Sequence, residues 1–301
     1  MATVLVTGGA GFIGSHIVDA LVSEGHEVHI LDNFSSGKRE RVNLSAIVHE
    51  ADIRNLEAIK PLFAGVEFVF HLAALCRVQP SIDDPVGTND VNINGTLNVL
   101  VASRDAGVKR LVYSASSSAY GDQEVFPTNE DLPARPLSPY GLQKYVGEHY
   151  ARLFSILYGL KTVSLRYFNV YGSRASSDGA YALVIAKFLK QKGNGEPLTV
   201  VPDGEQSRAY SHVSDVVRAN MLAMKSPKVG KGEVINIGGS KSWSVNQIAD
   251  MIGGPRIFIE PRIEPRKSLP DLTKARELLG WEPAMELPEG IASLKKLYNL
   301  S

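Results

Sequence analysis

TVLVTGGAGFIG, residues 3–14, runs from an apolar stretch through a glycine cluster into a second apolar stretch, which predicts a strand, a tight turn and a helix. Gly9, Gly11 and Gly14 fit G-x-G-x-x-G, and Gly8 adds a fourth glycine where the backbone must turn sharply and pass close to a pyrophosphate. The free N–H groups of the helix's first turn then face the phosphates. Alone, such a pattern also fits an ordinary structural turn. The residues that follow narrow the choice: a helix over 12–24 ends at Gly25, and a second apolar run, 28–31, ends at Asp32, where an acid holds the adenosine ribose hydroxyls of a dinucleotide. A carboxylate there repels a 2′-phosphate, so the pattern points to NAD and away from NADP.

The 301 residues are 44% hydrophobic and 21% charged, the balance of a folded chain with one large core or two modest ones. Basic and acidic residues number 32 each, so no long-range field draws nucleic acid or an anionic membrane, and any anion site must be local. Cys76 is the single cysteine, which excludes an internal disulfide, and a first strand starting at residue 3 leaves no room for a signal peptide. A cytoplasmic location is the expectation. No apolar run approaches the length of a membrane span.

Past Asp32 a polar loop over 33–41 precedes a short strand at 46–49, Asp52-Ile53, and a helix over 55–64. The run 68–71 reads as a strand buried on both faces, opening into Leu72, Ala73 and Ala74, small enough for close backbone approach to a cofactor. Pro80 and Pro85 mark a loop; a helix over 86–106 and a strand over 110–114 lead to the serine turn 116–118. This alternation predicts an α/β fold, a doubly wound parallel (Rossmann) sheet with its ligand at the strands' carboxyl ends. A proline-rich loop then stops at a helix over 140–158, followed by a strand over 162–167. From Asn169 the rhythm loosens into a second, smaller α/β lobe: a helix to Lys192, a strand at 198–201 and a polar turn at 203–208. A helix over 211–224 and a strand over 233–237 rejoin the first sheet, and helices at 245–251, 272–279 and 288–298 close the chain around a proline- and arginine-rich connection, 255–270. The division expected is 1–170 with about 209–238 for NAD, and about 171–208 with 239–301 for the substrate.

Tyr140 and Lys144 stand four apart at a helix start, on one face, the only Tyr-x-x-x-Lys among eleven tyrosines. A phenol is a poor base at neutral pH, but an adjacent ammonium and a positive nicotinamide ring favour the phenolate; a shift of about three units needs about 4 kcal/mol. Ser116, at the end of the preceding strand, is placed to hydrogen-bond the same reacting hydroxyl. An isolated pair of this kind is otherwise a packed tyrosine beside a lysine stem; following a nucleotide loop and a serine turn, the chemical reading is favoured.

With these motifs the chain resembles the extended short-chain dehydrogenase/reductases that act on nucleotide sugars. The resemblance runs through TGGAGFIG (7–14), Asp32-Asn33, Asp52-Ile53, HLAA (71–74), NINGT (92–96), Ser116 with Tyr120-Gly121, Tyr140-x-x-x-Lys144 and RYFNVYG (166–172), nearly the whole length. It implies that Gly8, Gly11, Phe12, Ile13, Asp32, Asn33, Asp52, Ile53, Ala73, Asn92, Tyr140, Lys144 and Tyr167 line the NAD site, with Leu72 and Ala74 beside them. It also implies that Asn169, Arg208 and Arg262 hold the substrate's diphosphate, and that Ser116, Ser117, Ser118, Val184 and Ser268 surround the sugar.

Within that family, 4,6-dehydratases place an Asp-Glu pair after the serine to eliminate water, and decarboxylases usually keep a glutamate in the turn; Ser117 and Ser118 cannot serve as carboxylate acid and base. SSSAYG (116–121), with GAYALVI (179–185), is most similar to UDP-N-acetylglucosamine 4-epimerases, then to UDP-galactose 4-epimerases. Three departures stand out: Cys76 where many relatives have lysine, Ala209 where Arg-Asp is common, and Glu264-Pro265 where Gly-Asp is usual. Ser268 matches a small residue that enlarges the sugar pocket in N-acetylhexosamine-specific members.

The expected activity is therefore NAD-dependent 4-epimerisation of a UDP-hexose through a 4-keto sugar, with a single-step nucleotide-sugar reductase or decarboxylase as the enzymic alternative. A non-catalytic NAD sensor on the same scaffold is the rival of another class, disfavoured by the intact Ser116, Tyr140 and Lys144. A homodimer is expected by resemblance, through a four-helix interface in which Leu97, Leu100, Leu153 and Leu157 supply contacts. His26 and His29, read as strand residues facing opposite sides, make no metal site. Residues 38–41, KRER, read as a solvated loop with contact to the adenosine as the alternative, and Cys76 as a small packed residue.

Overall fold

Seven strands make one parallel sheet in a computed structural model that describes residues 1–177, 183–260 and 265–300. They are β1 (Thr3–Thr7), β2 (Glu27–Asp32), β3 (Ile47–Glu50), β4 (Phe68–His71), β5 (Arg110–Ser116), β6 (Thr162–Tyr167) and β7 (Glu233–Ile237). Their order is β7-β6-β5-β4-β1-β2-β3, so the chain winds one way from β1 to β3 and the other way from β4 outward. The direction reverses between β1 and β4, and a crevice opens there at the strands' carboxyl ends. Period-two alternation builds a core on each face: Val4 and Val6 pack with Ile17, Leu21 and Ile235, while Leu5 packs with Phe63, Val69, Leu111 and Phe154.

A third core lies in the smaller lobe, where Ile185, Phe188, Leu198, Ile248, Ile252, Ile291 and Leu294 pack together. Its strands are short. Ser207–Ala209 sits between Ser242–Ser244 (antiparallel) and Lys267–Ser268 (parallel), Arg256–Phe258 pairs with Leu198–Val200, and Val170–Tyr171 with Ser211–His212. Strands thus replace part of the expected turn at 203–208 and of the irregular connection at 255–270, because neither run is long enough to show a period.

Other expectations shift. The helix expected over 55–64 is α-helical only at Leu56–Ile59 and tightens to 3₁₀ at Lys60–Phe63, where Pro61 has no N–H to give. The loop marked by Pro80 contains a helix, Val78–Asp83, since proline is tolerated in a first turn. The long helix after Pro85 carries a π-helical turn, Asp90–Gly95, between Pro85–Asn89 and Thr96–Asp105. His26 precedes β2 instead of lying on it, and His29 bonds His49 (2.9 Å) and Glu27 (3.0 Å). Leu100 is fully buried in the core and is not a free interface spot; Leu97 is partly buried against that core, and Leu153 and Leu157 are exposed. Among the described residues, no helix is long and apolar enough to cross a membrane.

Candidate active site

Between the two lobes lies a cleft of about 860 Å³. Its nucleotide end is the glycine loop. Gly8 adopts φ +69°, and a Cβ there would stand 2.7 Å from the Ala73 nitrogen; a Cβ on Gly14 would stand 2.2 Å from the Gly8 carbonyl oxygen. The loop is therefore wedged between the end of β4 and the first turn of helix Phe12–Ser23, and no side chain caps the helix N-terminus at Gly11. Thr7 and His71 hydrogen-bond at 2.7 Å, and Thr7 Oγ1 accepts from the Ala73 N–H (3.2 Å), fixing the opposite rim. His71 also meets Thr96 (2.9 Å), and burial, with the Lys144 charge, pushes its pKa down to about 3, so it is a neutral strut.

Asp32 closes the far end. Its Oδ2 accepts from the Ala10 N–H (2.9 Å) and its Oδ1 from the Phe34 N–H (2.8 Å), which aims a buried carboxylate into the cleft. Asn33 Nδ2 donates to Asp52 Oδ2 (2.9 Å), and Arg54 grips Asp52 with two prongs, holding that carboxyl well below the usual range. Lys38 and Arg41 line this end too, so the KRER loop is only half solvated: Arg39 and Glu40 do not reach the cleft. These features fit a dinucleotide: a cradle that a Cβ would fill, helix N–H groups for the pyrophosphate and a fixed acid for the ribose.

The reacting end is set by β5 and the helix Pro139–Tyr158. Ser138 caps that helix, its Oγ accepting from the Gly141 N–H (3.1 Å), with Pro139 at the first position. Gly141 lets the first turn lie on the serine turn, since a Cβ there would be 2.6 Å from the Ser118 carbonyl oxygen. Ser116 Oγ bonds Ser118 Oγ (3.1 Å) and accepts from the Ser118 N–H (3.2 Å). Burial pushes the Tyr140 phenol up, aided by Cys76 and opposed by the hydrogen bond from Ser116. Lys144, 4% exposed, donates from Nζ to the Ser114 carbonyl oxygen (2.8 Å), and burial pushes its pKa down to about 8. In the protein alone, burial sets the direction for the phenol, and the opposing influence comes from Ser116 and not from the expected ammonium.

Gly8, Gly11, Phe12, Ile13, Asp32, Asn33, Asp52, Ile53, Leu72, Ala73, Ala74, Tyr140, Lys144 and Tyr167 all line the one cleft, as do Ser116, Ser117, Ser118, Asn169, Val184 and Arg208. Asn92 and Ser268 do not. Asn92 is 1% exposed, and its amide accepts from the Leu75 N–H (2.8 Å) and donates to the Leu75 carbonyl (3.0 Å) and Gln143 (2.8 Å), so it reaches the site only through the loop it ties down. Ser268 sits behind the wall, accepting from Asn169 Nδ2 (3.3 Å). Arg262 lies outside the described residues, as do 179–182 of the GAYALVI run. Cys76 is exposed on the cleft instead of packed.

Sequence reading missed Ser81, whose buried Oγ accepts from the Tyr140 N–H (3.0 Å), and the Ser114 carbonyl that receives Lys144. Neither carries a local signal, because both are joined to the helix only by the fold. Among the described residues, the carboxylates lining the cleft are Asp32 and Asp52, both at the nucleotide end.

Fold and site together define a dinucleotide-dependent enzyme with a tyrosine and lysine beside the cofactor cradle. A family model described as the NAD dependent epimerase/dehydratase family matches residues 4–238, and the chain belongs to that family; NAD is its cofactor. The UDP-glucose 4-epimerase of Thermotoga maritima, solved with UDP-glucose, is 42% identical at a TM-score of 0.93, covering 98% of this chain and 99% of that one. A UDP-N-acetylglucosamine 4-epimerase from Methanobrevibacter ruminantium, solved with UDP-N-acetylmuramic acid, is 34% identical at a TM-score of 0.91, covering 98% and 99%. A UDP-glucuronic acid decarboxylase of Xenopus tropicalis is 35% identical over 302 residues, 96% of this chain and 70% of that one.

Proposed function

We propose that this protein is an NAD-dependent UDP-hexose 4-epimerase, with UDP-N-acetylglucosamine and UDP-N-acetylgalactosamine as its preferred pair and UDP-glucose/UDP-galactose as the other candidate pair. The observation that carries the reading is the convergence of Ser116, Tyr140 and Lys144 on the cleft that holds the nucleotide cradle. Bound NAD supplies a hydride acceptor that later gives the hydride back. Tyr140 takes the proton of the sugar 4-hydroxyl and returns it; Ser116 holds that oxygen, and Lys144 supplies the cation that the buried phenol needs to ionise. Arg208 and Asn169 anchor the diphosphate while the 4-keto sugar turns over and presents its other face. The absence of carboxylates at the reacting end, among the described residues, argues against dehydration and against decarboxylation assisted by a turn glutamate.

The finer substrate choice rests on the sequence reading of Ser268, which acts from behind the wall through Asn169; likeness does not favour it, the UDP-glucose enzyme being 42% identical and the UDP-N-acetylglucosamine enzyme 34%. Residues 1–170 with 209–238 would carry NAD, and 171–208 with 239–301 the nucleotide sugar. Leu153, Ile156 and Leu157, exposed along the Tyr140 helix, support a homodimer, and a free exposed Cys76 suits the reducing cytoplasm. NMR of UDP-N-acetylglucosamine and UDP-glucose, incubated separately with the purified protein, should show the 4-epimer in both tubes and faster in the first. A product lacking carbon dioxide or water, or a stoichiometric release of NADH, would reject epimerisation. Light scattering that gives a monomer mass at micromolar protein would reject the dimer.

A further inference from the structure

One turn beyond Lys144, the same helix carries a third ionisable side chain that the cleft does not use. Glu148 and Arg166 on β6 are 3% and 4% exposed, and Arg166 donates from Nε to Glu148 Oε1 (2.8 Å) and from Nη2 to Oε2 (2.7 Å). The guanidinium also lies against the Tyr120 ring, 4.4 Å from its centre. Apolar side chains of similar volume commonly hold a helix as well as a buried ion pair does, so packing alone gives no reason for these charges.

Their position gives one. Residues four apart on a helix are neighbours, and burial, which drives Lys144 towards its neutral form, is opposed by the charges of Cys76 and Glu148. The groups whose charge bears on Lys144 are Glu148 on its own helix, Cys76 beyond β4 and His71 on β4, while Tyr140, one turn before it, lines the same cleft. From β5 come the Ser114 carbonyl and the Tyr113 ring at 4.9 Å. Those facing Glu148 are Arg166, His149, Lys144 and Tyr113. His71 is neutral and burial pushes the Tyr113 phenol up; burial pushes the Glu148 carboxyl up as well, opposed by the Arg166 guanidinium, whose two hydrogen bonds make Glu148 the one carboxylate among these groups with a cation fixed against it.

We propose that Glu148, held by Arg166, is a positioning residue for the reaction: it fixes the Tyr140–Lys144 helix on β6 and keeps Lys144 charged beside the reacting phenol. The proposal rests on Tyr140 and Lys144 being the proton-handling pair. Removing a nearby anion makes the ammonium lose its proton at lower pH. For the NAD-loaded enzyme, Glu148→Gln should therefore move the alkaline limb of kcat about one pH unit lower with KM unchanged; a limb at its wild-type position would overturn the proposal.

If that variant does not fold, Glu148→Leu with Arg166→Met restores apolar packing and should still show a lowered limb. Restored stability together with a wild-type limb would make the pair merely structural. Glu148→Asp keeps the charge but shortens its reach, so kcat should fall about tenfold with the limb in place; an undiminished kcat defeats the positioning role. Tyr140→Phe in the same assay separates the two ideas, because full activity there removes the acid–base reading whatever the Glu148 variants do.

Discussion

At the nucleotide end of the cleft, Gly8 follows β1, Asp32 ends β2 and Asp52 follows β3, three neighbouring strands of one sheet. At the other end, Asn169 and Arg208 on the cleft wall and Ser268 behind it come from three distant segments. There Ser268 pairs in register with Arg208, while Asn169 Nδ2 donates to the Ala209 carbonyl (2.9 Å) and to Ser268. The first end is built on turns whose conformation is written in adjacent residues, and the contacts of Thr7 with His71 and Ala73, 64 and 66 positions on, join neighbouring strands of one sheet. The second is made by contacts between residues up to 99 positions apart. A substitution at the first end should therefore act on folding and cofactor together, and one at the second on substrate with the fold intact.

The largest effect is expected where the local code is tightest. Gly14→Val puts a Cβ 2.2 Å from the Gly8 carbonyl oxygen, well inside contact distance, at a buried position. Destabilisation of about 3 kcal/mol is expected, with loss of co-purified NAD. Thermal melts and the cofactor absorbance of the purified variant test this; an unchanged melting temperature with full NAD would break the contrast at its strong end.

Tyr140→Phe comes next and sits where the two ends meet. Proton abstraction is lost while the helix, its Ser138 cap and the NAD cradle remain, so kcat should fall about 10²-fold, a barrier increase of about 2.7 kcal/mol, with NAD and UDP still bound. Near wild-type turnover, read by coupled assay alongside UDP binding by calorimetry, would remove Tyr140 from the chemistry. Smaller again is Arg208→Ala. Arg208 lines the cleft, and deleting one charge-assisted contact to a diphosphate should raise KM about tenfold and leave the melting temperature alone. A kcat change at constant KM would show that the arginine does something other than anchor.

What was legible in the sequence follows the same division. The sheet and its glycine loop, Asp32, the serine turn and the Tyr140 helix are each encoded by periodicity or by residues a few positions apart, and the structure has them together. Ser81 capping Tyr140, the Ser114 carbonyl receiving Lys144 and the inward turn of Asn92 were not legible, because each depends on how two elements are set against one another. Leu100 failed as an interface residue for the same reason: helical spacing marks an apolar face but does not say whether the sheet or another protein covers it.

The smallest effect, and the most discriminating, concerns Ser268. The serine contributes no atom to the cleft wall, yet its Oγ accepts from Asn169, which does line the cleft, and its carbonyl accepts from Ser242 Oγ at 2.8 Å. A tyrosine at this position cannot keep the Asn169 bond and must send its ring forward, past Asn169, or outward into solvent. In the forward case the ring takes space that a 2-acetamido group would need in both orientations of the turning sugar, while a 2-hydroxyl is smaller and suffers less. Ser268→Tyr should then lower kcat/KM for UDP-N-acetylglucosamine about fivefold more than for UDP-glucose, a difference of about 1 kcal/mol. Ser268→Ala, which loses only the hydrogen bond, should lower both substrates equally and slightly. If the tyrosine variant also lowers both equally, Ser268 acts only by holding Asn169, and the choice between the acetamido and hydroxyl sugars is made elsewhere in the cleft.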